Sequence, residues 1–293
     1  MTLNLWLKQS EQYLHSFGIQ TARLDCLVLA EDVLGKDRAW ILANQKAEMT
    51  ASQNAKLAKL LNRRAKHEPI AYMLGKTEFY GREFIIDSNV LVPRPESEAI
   101  IDMLIDLSKT RSWKCAYKDC ACRWKVADVG TGSGALGITA ALEVPNLAVE
   151  LLEIDPKALK IAKTNVDKFT IGISVIHSDL IQSSSQDNDI LLCNLPYVPD
   201  EYPINTAAEH EPAIALFGGP DGLDLYRKLF SQIDKSKHKP LYLLIESLPS
   251  QHPNLAKIAD SSDYSLTETN DFIQLYESNH PTKKHTCNCK DCT

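Results

Sequence analysis

The sequence predicts an α/β fold, a mostly parallel sheet with helices on both faces, preceded by a small helical domain. From residue 125 onward, short apolar runs typical of buried strands alternate with segments of helical periodicity, which is the pattern of a doubly wound sheet. Before residue 76, leucines recur at helical spacing instead. The 293 residues leave room for one large and one smaller domain.

Composition is that of an ordinary globular protein. Hydrophobic residues make up 44% and charged residues 24% of the chain. The net charge of −6 argues against a broad, non-specific grip on nucleic acid. No apolar run approaches the length of about 18 residues that a membrane span needs, and the start lacks the basic-then-apolar pattern of a signal peptide. We therefore expect a cytoplasmic protein, taken as a monomer, with no membrane partner and no direct nucleic-acid partner.

Residues 1–75 are predicted to be the helical domain. Apolar residues recur at helical spacing over 3–17 and 24–34 and again over 57–61, and glycines follow the first two segments. Nothing in these segments has the pattern of a catalytic site. We expect a small helical bundle that serves as a docking platform for a macromolecular substrate.

Residues 76–92 are predicted to be a β-hairpin linker, because two β-prone arms flank Gly81-Arg82 and a glycine in the first turn position suits a type II′ connection. The α/β domain is assigned to 93–280 and a cysteine-rich tail to 281–293. The domain opens with Pro93-Arg94-Pro95-Glu96-Ser97-Glu98. Two prolines around an arginine exceed what helix capping requires, so a functional loop and an ordinary helix start are both open.

Seven short segments of the α/β domain are predicted to be strands. A glycine-rich turn and a helix follow the first strand, and a second helix follows the second strand. Asn270-Asp271 separates the last two strands, which indicates a terminal hairpin. In chain order, the strands are predicted over 126–129, 149–153, 173–176, 189–193, 241–246, 266–269 and 272–277.

A nucleotide site is predicted at the carboxyl ends of the first three strands. The loop Gly130-Thr131-Gly132-Ser133-Gly134 follows the first strand, and its glycines allow a sharp turn and a close approach to a ligand. Glu153 ends the second strand, where it would accept hydrogen bonds from ribose hydroxyls. Asp179 lies just past the third strand, where an adenine ring would rest. A glycine turn alone is often only structural, but three coordinated features indicate a cofactor site.

The run Asn194-Leu195-Pro196-Tyr197 ends the fourth predicted strand. A glycine loop with a following acid would also fit a dinucleotide, but dehydrogenases have no use for such a tetrad. The Asn194 side-chain oxygen and the carbonyl of residue 195 could accept both N–H hydrogens of a planar nitrogen, with the Tyr197 ring packed against its plane. Beside a nucleoside site, this pattern predicts methyl transfer from S-adenosylmethionine to nitrogen.

Five further segments complete a recognisable series: 68–75, 79–81, 93–98, Glu211-Pro212 and 218–227. With the loop and the tetrad, they resemble the HemK/PrmC family of release-factor glutamine N5-methyltransferases. The resemblance implies a seven-stranded, Rossmann-like class I S-adenosylmethionine-dependent methyltransferase domain behind a helical domain. It also implies methylation of the glutamine in the Gly-Gly-Gln motif of peptide chain release factors.

The resemblance carries over residue by residue. It implies that Gly130 to Gly134, Glu153, the Asp179-Leu180 step and Asn194 hold the cofactor. It implies equally that Asn194, Leu195, Pro196 and Tyr197 hold the substrate glutamine and are the catalytic residues.

Leu195 departs from the family, which usually has a proline there. Asn-Leu-Pro-Tyr is typical of ribosomal RNA adenine dimethyltransferases, so a nucleic-acid adenine N6-methyltransferase is the alternative function, and a binding protein without activity is a third. The RNA enzymes carry their helical domain after the catalytic one, whereas here it comes first. A leucine carbonyl accepts hydrogen bonds as a proline carbonyl does, and Pro196 holds residue 195 extended. We therefore expect the glutamine chemistry to survive.

The eight cysteines fall into two groups. Cys26 and Cys193 lie in apolar runs and are predicted to be buried. The others precede the first strand or lie in the tail, two places that the strand directions bring to the same side of the sheet, away from the cofactor. Four thiolates could form a structural zinc site, although a solvated tail is the alternative and no metal is firmly assigned. The six candidates are Cys115, Cys120, Cys122, Cys287, Cys289 and Cys292.

Overall fold

The computed structural model describes residues 1–110, 123–185 and 187–280. The chain divides into two compact units, one made of Met1–Lys76 with Ile204–His210 and the other of Thr77–Pro203 with Glu211–Thr293. The finer division into linker, methyltransferase domain and tail stays a prediction. Both cysteine clusters lie outside the described residues, so the zinc hypothesis stays a prediction too. Cys26 and Cys193 are buried, as predicted.

The first unit is helical, as predicted. Three of its helices begin at a side-chain cap, in which Thr2, Asp37 or Thr50 accepts a backbone N–H of the first turn. One apolar cluster fills the centre of the unit, and an ion pair between the half-buried Arg64 and the buried Asp25 links two helices. The helices are α1 (Leu3–Ser16), α2 (Ala22–Leu34), α3 (Arg38–Ala43), α4 (Ala51–Arg64) and α5 (Ile70–Leu74).

A two-stranded hairpin of β1 (Lys76–Phe79) and β2 (Arg82–Ile85) follows. The predicted turn position and type were wrong. The two residues between the strands are Tyr80 and Gly81, and both have positive φ, 51° and 69°. Positive φ at both central positions defines a type I′ turn, whose twist matches that of the flanking strands. The Tyr80 N–H donates to the Glu98 carboxylate at 2.7 Å, which helps to hold this unusual backbone.

The second unit contains a seven-stranded sheet in the order β5-β4-β3-β6-β7-β9-β8. The central strands are parallel, and β9 runs antiparallel to both of its neighbours. This confirms the predicted fold class and the terminal hairpin. The strands are β3 (Trp124–Val129), β4 (Leu147–Glu153), β5 (Ser174–His177), β6 (Ile190–Cys193), β7 (Tyr242–Glu246), β8 (Tyr264–Asn270) and β9 (Ile273–Ser278).

Helices cover both faces of this sheet. Successive strand residues point to opposite sides, so each strand contributes apolar side chains to both faces. Val126 and Leu192 belong to the apolar cluster on one face, whereas Ala127 and Leu191 belong to the cluster on the other. The helices are α6 (Glu98–Thr110), α7 (Ala135–Glu143), α8 (Pro156–Phe169), α9 (Asp224–Lys235) and α10 (His252–Asp260), of which α6 to α8 contribute to the first cluster and α9 and α10 to the second.

The parallel register brings the carboxyl ends of four strands to one edge of the sheet. Val129 of β3 pairs with Leu152 of β4 and with Cys193 of β6, and Cys193 pairs in turn with Ile245 of β7. The next residues along the chain therefore stand side by side at that edge. They are Gly130, Glu153, Asn194 and Glu246.

Candidate active site

The glycine loop after β3 is held by backbone hydrogen bonds to β4. The N–H groups of Gly130 and Thr131 both donate to the Leu152 carbonyl, at 2.8 and 3.0 Å. Gly130 and Gly132 have φ values of 70° and 56°, which an L side chain adopts only with strain. The loop thus turns sharply at the edge of the sheet.

Asp128 supports the loop from below. Its buried carboxylate accepts hydrogen bonds from the Thr131 hydroxyl and from the Gly137 N–H at the start of α7. Burial raises the pKa of Asp128 to about 6, against the opposing effect of these two hydrogen bonds. The carboxylate ties the loop to the helix that follows it.

Glu153 lies at the end of β4 and faces the loop. Its two oxygens accept the N–H groups of Gly132 and Asp155, at 2.8 and 2.9 Å. Burial raises the pKa of Glu153, while these hydrogen bonds and that of the Ile154 N–H lower it. The Glu153 carboxylate therefore lies beside the glycine loop, and its predicted role toward ribose hydroxyls stays a prediction.

The step after β5 is built on Ser178. The Ser178 hydroxyl donates to the Leu180 carbonyl at 2.7 Å and accepts the Ser183 N–H at 2.9 Å. Leu180 takes a positive φ of 53°. The Asp179 carboxylate forms an ion pair with Lys228 of α9 at 2.6 Å, a partner that the sequence analysis missed.

A cavity of about 220 Å³ lies over this edge of the sheet. Of the predicted cofactor residues, only Gly134 is absent from its wall. A Cβ on Gly134 would lie 3.0 Å from Ile138 and 3.2 Å from Leu151, so this glycine permits close packing of α7 on the sheet. Leu195 and Pro196 line the cavity, and Tyr197 does not.

Asn194 has a fixed orientation at the end of β6. Its Nδ2 donates to the Ser97 hydroxyl at 2.8 Å. No described residue donates to its Oδ1, and both Asn194 and Ser97 line the cavity. The side chain thus retains an acceptor for a ligand.

Leu195 packs its side chain against the glycine loop. It is 2% exposed, and a Cβ on Gly130 would lie only 2.9 Å from its Cδ2 atom. The side chain that departs from the family pattern therefore fills the space between the tetrad and the loop.

The tetrad also packs closely against the backbone of segment 218–222. Cβ atoms added to Gly218 and Gly222 would lie 2.3 Å from the Pro196 carbonyl oxygen and 2.0 Å from the Tyr197 carbonyl oxygen. Only glycine permits these approaches. Gln251 joins the two segments, since its Nε2 donates to the carbonyls of Tyr197 and Asp221, both at 2.7 Å.

Tyr197 is anchored at its hydroxyl. The hydroxyl donates to Oε1 of Glu246 at 2.9 Å. Burial, followed by the neighbouring Glu246, raises the pKa of Tyr197 far above its usual value. The phenol therefore stays protonated and acts as a donor.

The loop 93–97 contributes to the site and is more than a helix start. Pro93 and Ser97 line the cavity. Arg94 donates from Nη2 to both carboxylate oxygens of Glu211, each at 2.7 Å. The Glu211 side chain is 1% exposed, so the ion pair holds the loop 93–97 against a buried carboxylate.

Among the site residues that sequence reasoning missed are Ser97, Lys228 and Glu246. Glu246 had a signal, because it ends a predicted parallel strand as Glu153 does. Ser97 lies within the segment 93–98, which the sequence analysis noted only for its two prolines around an arginine. Lys228 had no local signal, since its partner lies 49 residues away along the chain.

Two family models match the chain, the PrmC N-terminal domain over residues 6–75 and the methyltransferase small domain over 118–210. A Koribacter versatilis protein named release factor glutamine methyltransferase is 32% identical over 80% of this chain and 81% of its own. The Bacillus anthracis protein of that name is 34% identical over 73% of this chain and 75% of its own. A Rickettsia felis bifunctional methyltransferase is 30% identical, and the chain spans 54% of its length.

Among solved structures, the hMettl16 catalytic domain in complex with MAT2A 3'UTR hairpin 1 has a TM-score of 0.52 and 13% identity. The match covers 81% of this chain and 84% of that one, and it shows the fold alone. In the described part of the chain, no helix combines the length and apolar character that crossing a membrane would require.

The sheet order, the cleft at its carboxyl edge and the match to the methyltransferase small domain together identify a class I S-adenosylmethionine-dependent methyltransferase. Within that class, the chain belongs to the release factor glutamine methyltransferase family, on the strength of relatives at 32% and 34% identity over at least three quarters of their length.

Proposed function

We propose that this chain transfers a methyl group from S-adenosylmethionine to the side-chain amide nitrogen, N5, of the glutamine in the Gly-Gly-Gln motif of peptide chain release factors. The observation that carries the proposal is the orientation of Asn194. Its amide nitrogen is engaged by Ser97, which leaves an oxygen acceptor at the cavity wall in a chain of this family. An acceptor there selects a substrate that carries N–H donors.

The residues that line the cleft fit the chemical groups of the cofactor. S-adenosylmethionine supplies the electrophilic methyl group when it is bound. We assign its ribose hydroxyls to the Glu153 carboxylate and its adenine to the Asp179-Leu180 step. The loop from Gly130 to Gly134 and Asn194 complete the binding residues. Burial raises the pKa of Glu153, but its backbone N–H partners favour the ionised acceptor.

The substrate amide is a poor nucleophile, because its nitrogen lone pair is delocalised into the carbonyl. We assign its two N–H hydrogens to Oδ1 of Asn194 and to the Leu195 carbonyl oxygen. Together these acceptors would fix the nitrogen in one direction, with the Tyr197 ring against the amide plane. Orientation of this kind is worth several orders of magnitude in rate. Addition of the methyl group leaves the amide nitrogen with a positive charge and two hydrogens. This cationic nitrogen is strongly acidic and loses one proton to water without a dedicated base.

Leu195 is compatible with the same assignment. Its side chain is buried against Gly130, although the residue also belongs to the cavity wall. Its carbonyl remains the proposed acceptor. Because Asn-Leu-Pro-Tyr is typical of RNA adenine dimethyltransferases, ribosomal RNA is the control substrate.

We propose further that residues 1–75 dock the release factor and that the protein acts as a cytoplasmic monomer. The match of a family model over residues 6–75 supports the first assignment. Truncated proteins that lack this region should methylate a short Gly-Gly-Gln peptide and the whole release factor with more similar efficiency than the full chain does.

The substrate class is tested with labelled S-adenosylmethionine and two acceptors, purified release factor and ribosomal RNA. We expect label in the release factor only, and none when Asn194→Ala replaces the wild type. Label in the RNA alone would overturn the proposal. Label in neither acceptor, with cofactor binding intact, would favour the binding-protein alternative.

A further inference from the structure

Lys228 brings a cation to the cavity wall, at the step to which the adenine is assigned. It belongs to α9 and lines the cavity together with Ser178, Asp179 and Leu180. Its Nζ donates to Oδ2 of Asp179 at 2.6 Å. The Lys228 side chain is 48% exposed, and an ion pair this accessible to water adds little to the stability of a fold. Lys228 can therefore be replaced without unfolding the protein.

The helix that carries Lys228 is joined to the same step by a second side chain. Gln232 lies one turn further along α9, on the same face of the helix. Its Oε1 accepts the Ile181 N–H at 3.1 Å, and its Nε2 donates to the Asp179 carbonyl at 3.2 Å. These two backbone groups flank Leu180, whose φ is positive at 53°. The backbone of the step is thus held against the helix, next to the ion pair.

Both members of the ion pair retain hydrogen-bonding capacity. An ammonium group carries three N–H donors, and a carboxylate carries two acceptor oxygens. Among the described residues, Lys228 Nζ donates only to Oδ2 of Asp179, and no group donates to Oδ1. The pair therefore offers a donor and an acceptor side by side at the cavity wall.

Adenine carries the complementary groups. Its amino group is a hydrogen-bond donor, and the ring nitrogens N1 and N7, which flank that amino group, are acceptors. One carboxylate oxygen and one ammonium N–H can thus bind two neighbouring groups of the base at once. Hypoxanthine has a carbonyl oxygen in place of the amino group, so it would turn an acceptor toward the carboxylate.

We propose that Lys228 is a cofactor-binding residue, which donates from Nζ to N1 or N7 of the adenine of S-adenosylmethionine while Asp179 accepts from the amino group. The inference rests on the proposed assignment of the adenine to the Asp179-Leu180 step. Together the two side chains select adenine by its amino group and the ring nitrogen beside it. Lys228 has no part in the methyl transfer itself.

Isothermal titration calorimetry with S-adenosylhomocysteine tests the contact without catalysis. We expect the Kd of Lys228→Met to rise about three- to tenfold, the usual effect of losing one hydrogen bond at a partly exposed site. Lys228→Arg should recover most of the affinity, because a guanidinium group also donates. An unchanged Kd in a folded Lys228→Met would overturn the proposal.

Lys239→Met is the matched control for the loss of an ion pair. Lys239 pairs with Asp234 of the same helix at 3.1 Å, and neither residue lines the cavity. Its substitution should leave the Kd within about twofold of wild type. Thermal unfolding of each variant without ligand confirms that it is folded. If Lys228→Met does not fold, Lys228→Ala replaces it in every comparison, since alanine suits a helix.

Analogues of the ligand identify the atom that Lys228 contacts. The 1-deaza and 7-deaza forms of S-adenosylhomocysteine each replace one ring nitrogen by a C–H group. We expect one of them to bind wild type about three- to tenfold more weakly than the parent compound. Lys228→Met should bind that analogue and the parent alike, because the donor is gone. No weakening by either analogue in wild type, or an equal weakening in Lys228→Met, would refute the contact.

Asp179→Asn examines the other half of the pair. Wild type should prefer S-adenosylhomocysteine to S-inosylhomocysteine, in which a carbonyl oxygen replaces the amino group. The preference should fall about tenfold in Asp179→Asn, because an amide can turn either its oxygen or its nitrogen toward the base. An unchanged preference would refute the adenine assignment, and with it this inference.

The binding measurements are independent of the methyl acceptor. A wild-type protein that binds S-adenosylhomocysteine as expected but leaves release factor unmethylated would refute the proposed function and not this inference. Methylation of release factor, together with wild-type binding by Lys228→Met, would refute this inference alone.

Discussion

Leu195 and Gly130 form the contact that accommodates the departure from the family pattern at residue 195. The leucine side chain is buried against the loop glycine, while the main-chain carbonyl of residue 195 is the group that the proposed chemistry uses. Gly130 has no Cβ at the point of contact. The exchange of proline for leucine therefore depends on a glycine 65 positions earlier in the chain.

Alanine at Gly130 or at Gly132 separates packing from backbone strain. Both residues have positive φ, which costs an L residue about 1–2 kcal/mol. A Cβ at Gly132 would meet nothing within 4 Å, whereas one at Gly130 would meet Leu195 at 2.9 Å. We expect Gly130→Ala to reduce the free energy of unfolding by about 1–3 kcal/mol more than Gly132→Ala, as overpacking does. Urea unfolding measures the difference.

A double-mutant cycle checks the cause of that difference. In a Leu195→Ala background, the extra cost of Gly130→Ala should largely vanish, because the atom in its way is gone. Equal costs for the two glycines in wild type, or additive effects in the cycle, would refute the packing explanation.

Residues whose role follows from their place on a strand were predictable. Glu153 and Asn194 each follow or end a parallel strand, so the sheet edge alone brought them together. Ser97 was not predictable, because its contact with Asn194 joins residues 97 positions apart. Periodicity fixes neighbours along an element, but it carries no information about which distant hydroxyl meets which amide.

The loop 93–97 is the element whose role the sequence left open. Its prolines and arginine suggested function, and the ion pair between Arg94 and the buried Glu211 supplies a reason for the arginine. Burial raises the pKa of Glu211, and the Arg94 guanidinium opposes that rise. The pair joins two segments whose residues line the same cavity, since Pro93, Ser97 and Ile214 all belong to its wall.

Removal of the arginine should destabilise the protein in a pH-dependent way. Arg94→Ala leaves an unpaired carboxylate, and we expect a loss of about 2–3 kcal/mol near neutral pH, at the low end for a buried pair because Arg94 is 39% exposed. Burial raises the pKa of Glu211, so without Arg94 the ionised carboxylate destabilises the folded state and the protonated form does not. The deficit should therefore shrink as the pH falls through the pKa of Glu211.

Urea unfolding near neutral pH and at about pH 5 measures this dependence, with two comparison variants. Arg94→Ala combined with Glu211→Gln should lose the pH dependence, because no carboxylate remains. Arg38→Ala breaks an exposed pair with Glu31 and should cost less than about 1 kcal/mol at either pH. The same deficit for Arg94→Ala at both pH values would contradict the account.

The β1–β2 hairpin shows where element prediction failed. Its strands were predictable from β-prone residues, but its turn type was not, because a type I′ turn here requires positive φ at Tyr80. Asn165 of α8 supplies tertiary support that no local pattern reveals. Its side chain bonds the N–H and carbonyl of Ile85 and the Ser133 carbonyl, each at 2.8 Å, and so joins the hairpin to the glycine loop.

At the scale of the whole molecule, the fold was the most predictable property. Alternation of strands and helices leaves few arrangements of a parallel sheet, and a parallel sheet fixes the edge at which a ligand binds. The substrate was predictable only in part, because the tetrad indicates a planar nitrogen of either a base or an amide. Family membership then selects the amide, through segments far from the tetrad.

The central claim is methylation of one protein glutamine by a site built around Asn194. Mass spectrometry of the Gly-Gly-Gln peptide from a release factor, after reaction with S-adenosylmethionine, tests it most directly. With wild type, we predict a single added methyl group on the glutamine side chain, and with Asn194→Ala a large loss of rate at saturating S-adenosylmethionine. A methyl group on any other residue, or full activity of Asn194→Ala, would contradict the claim.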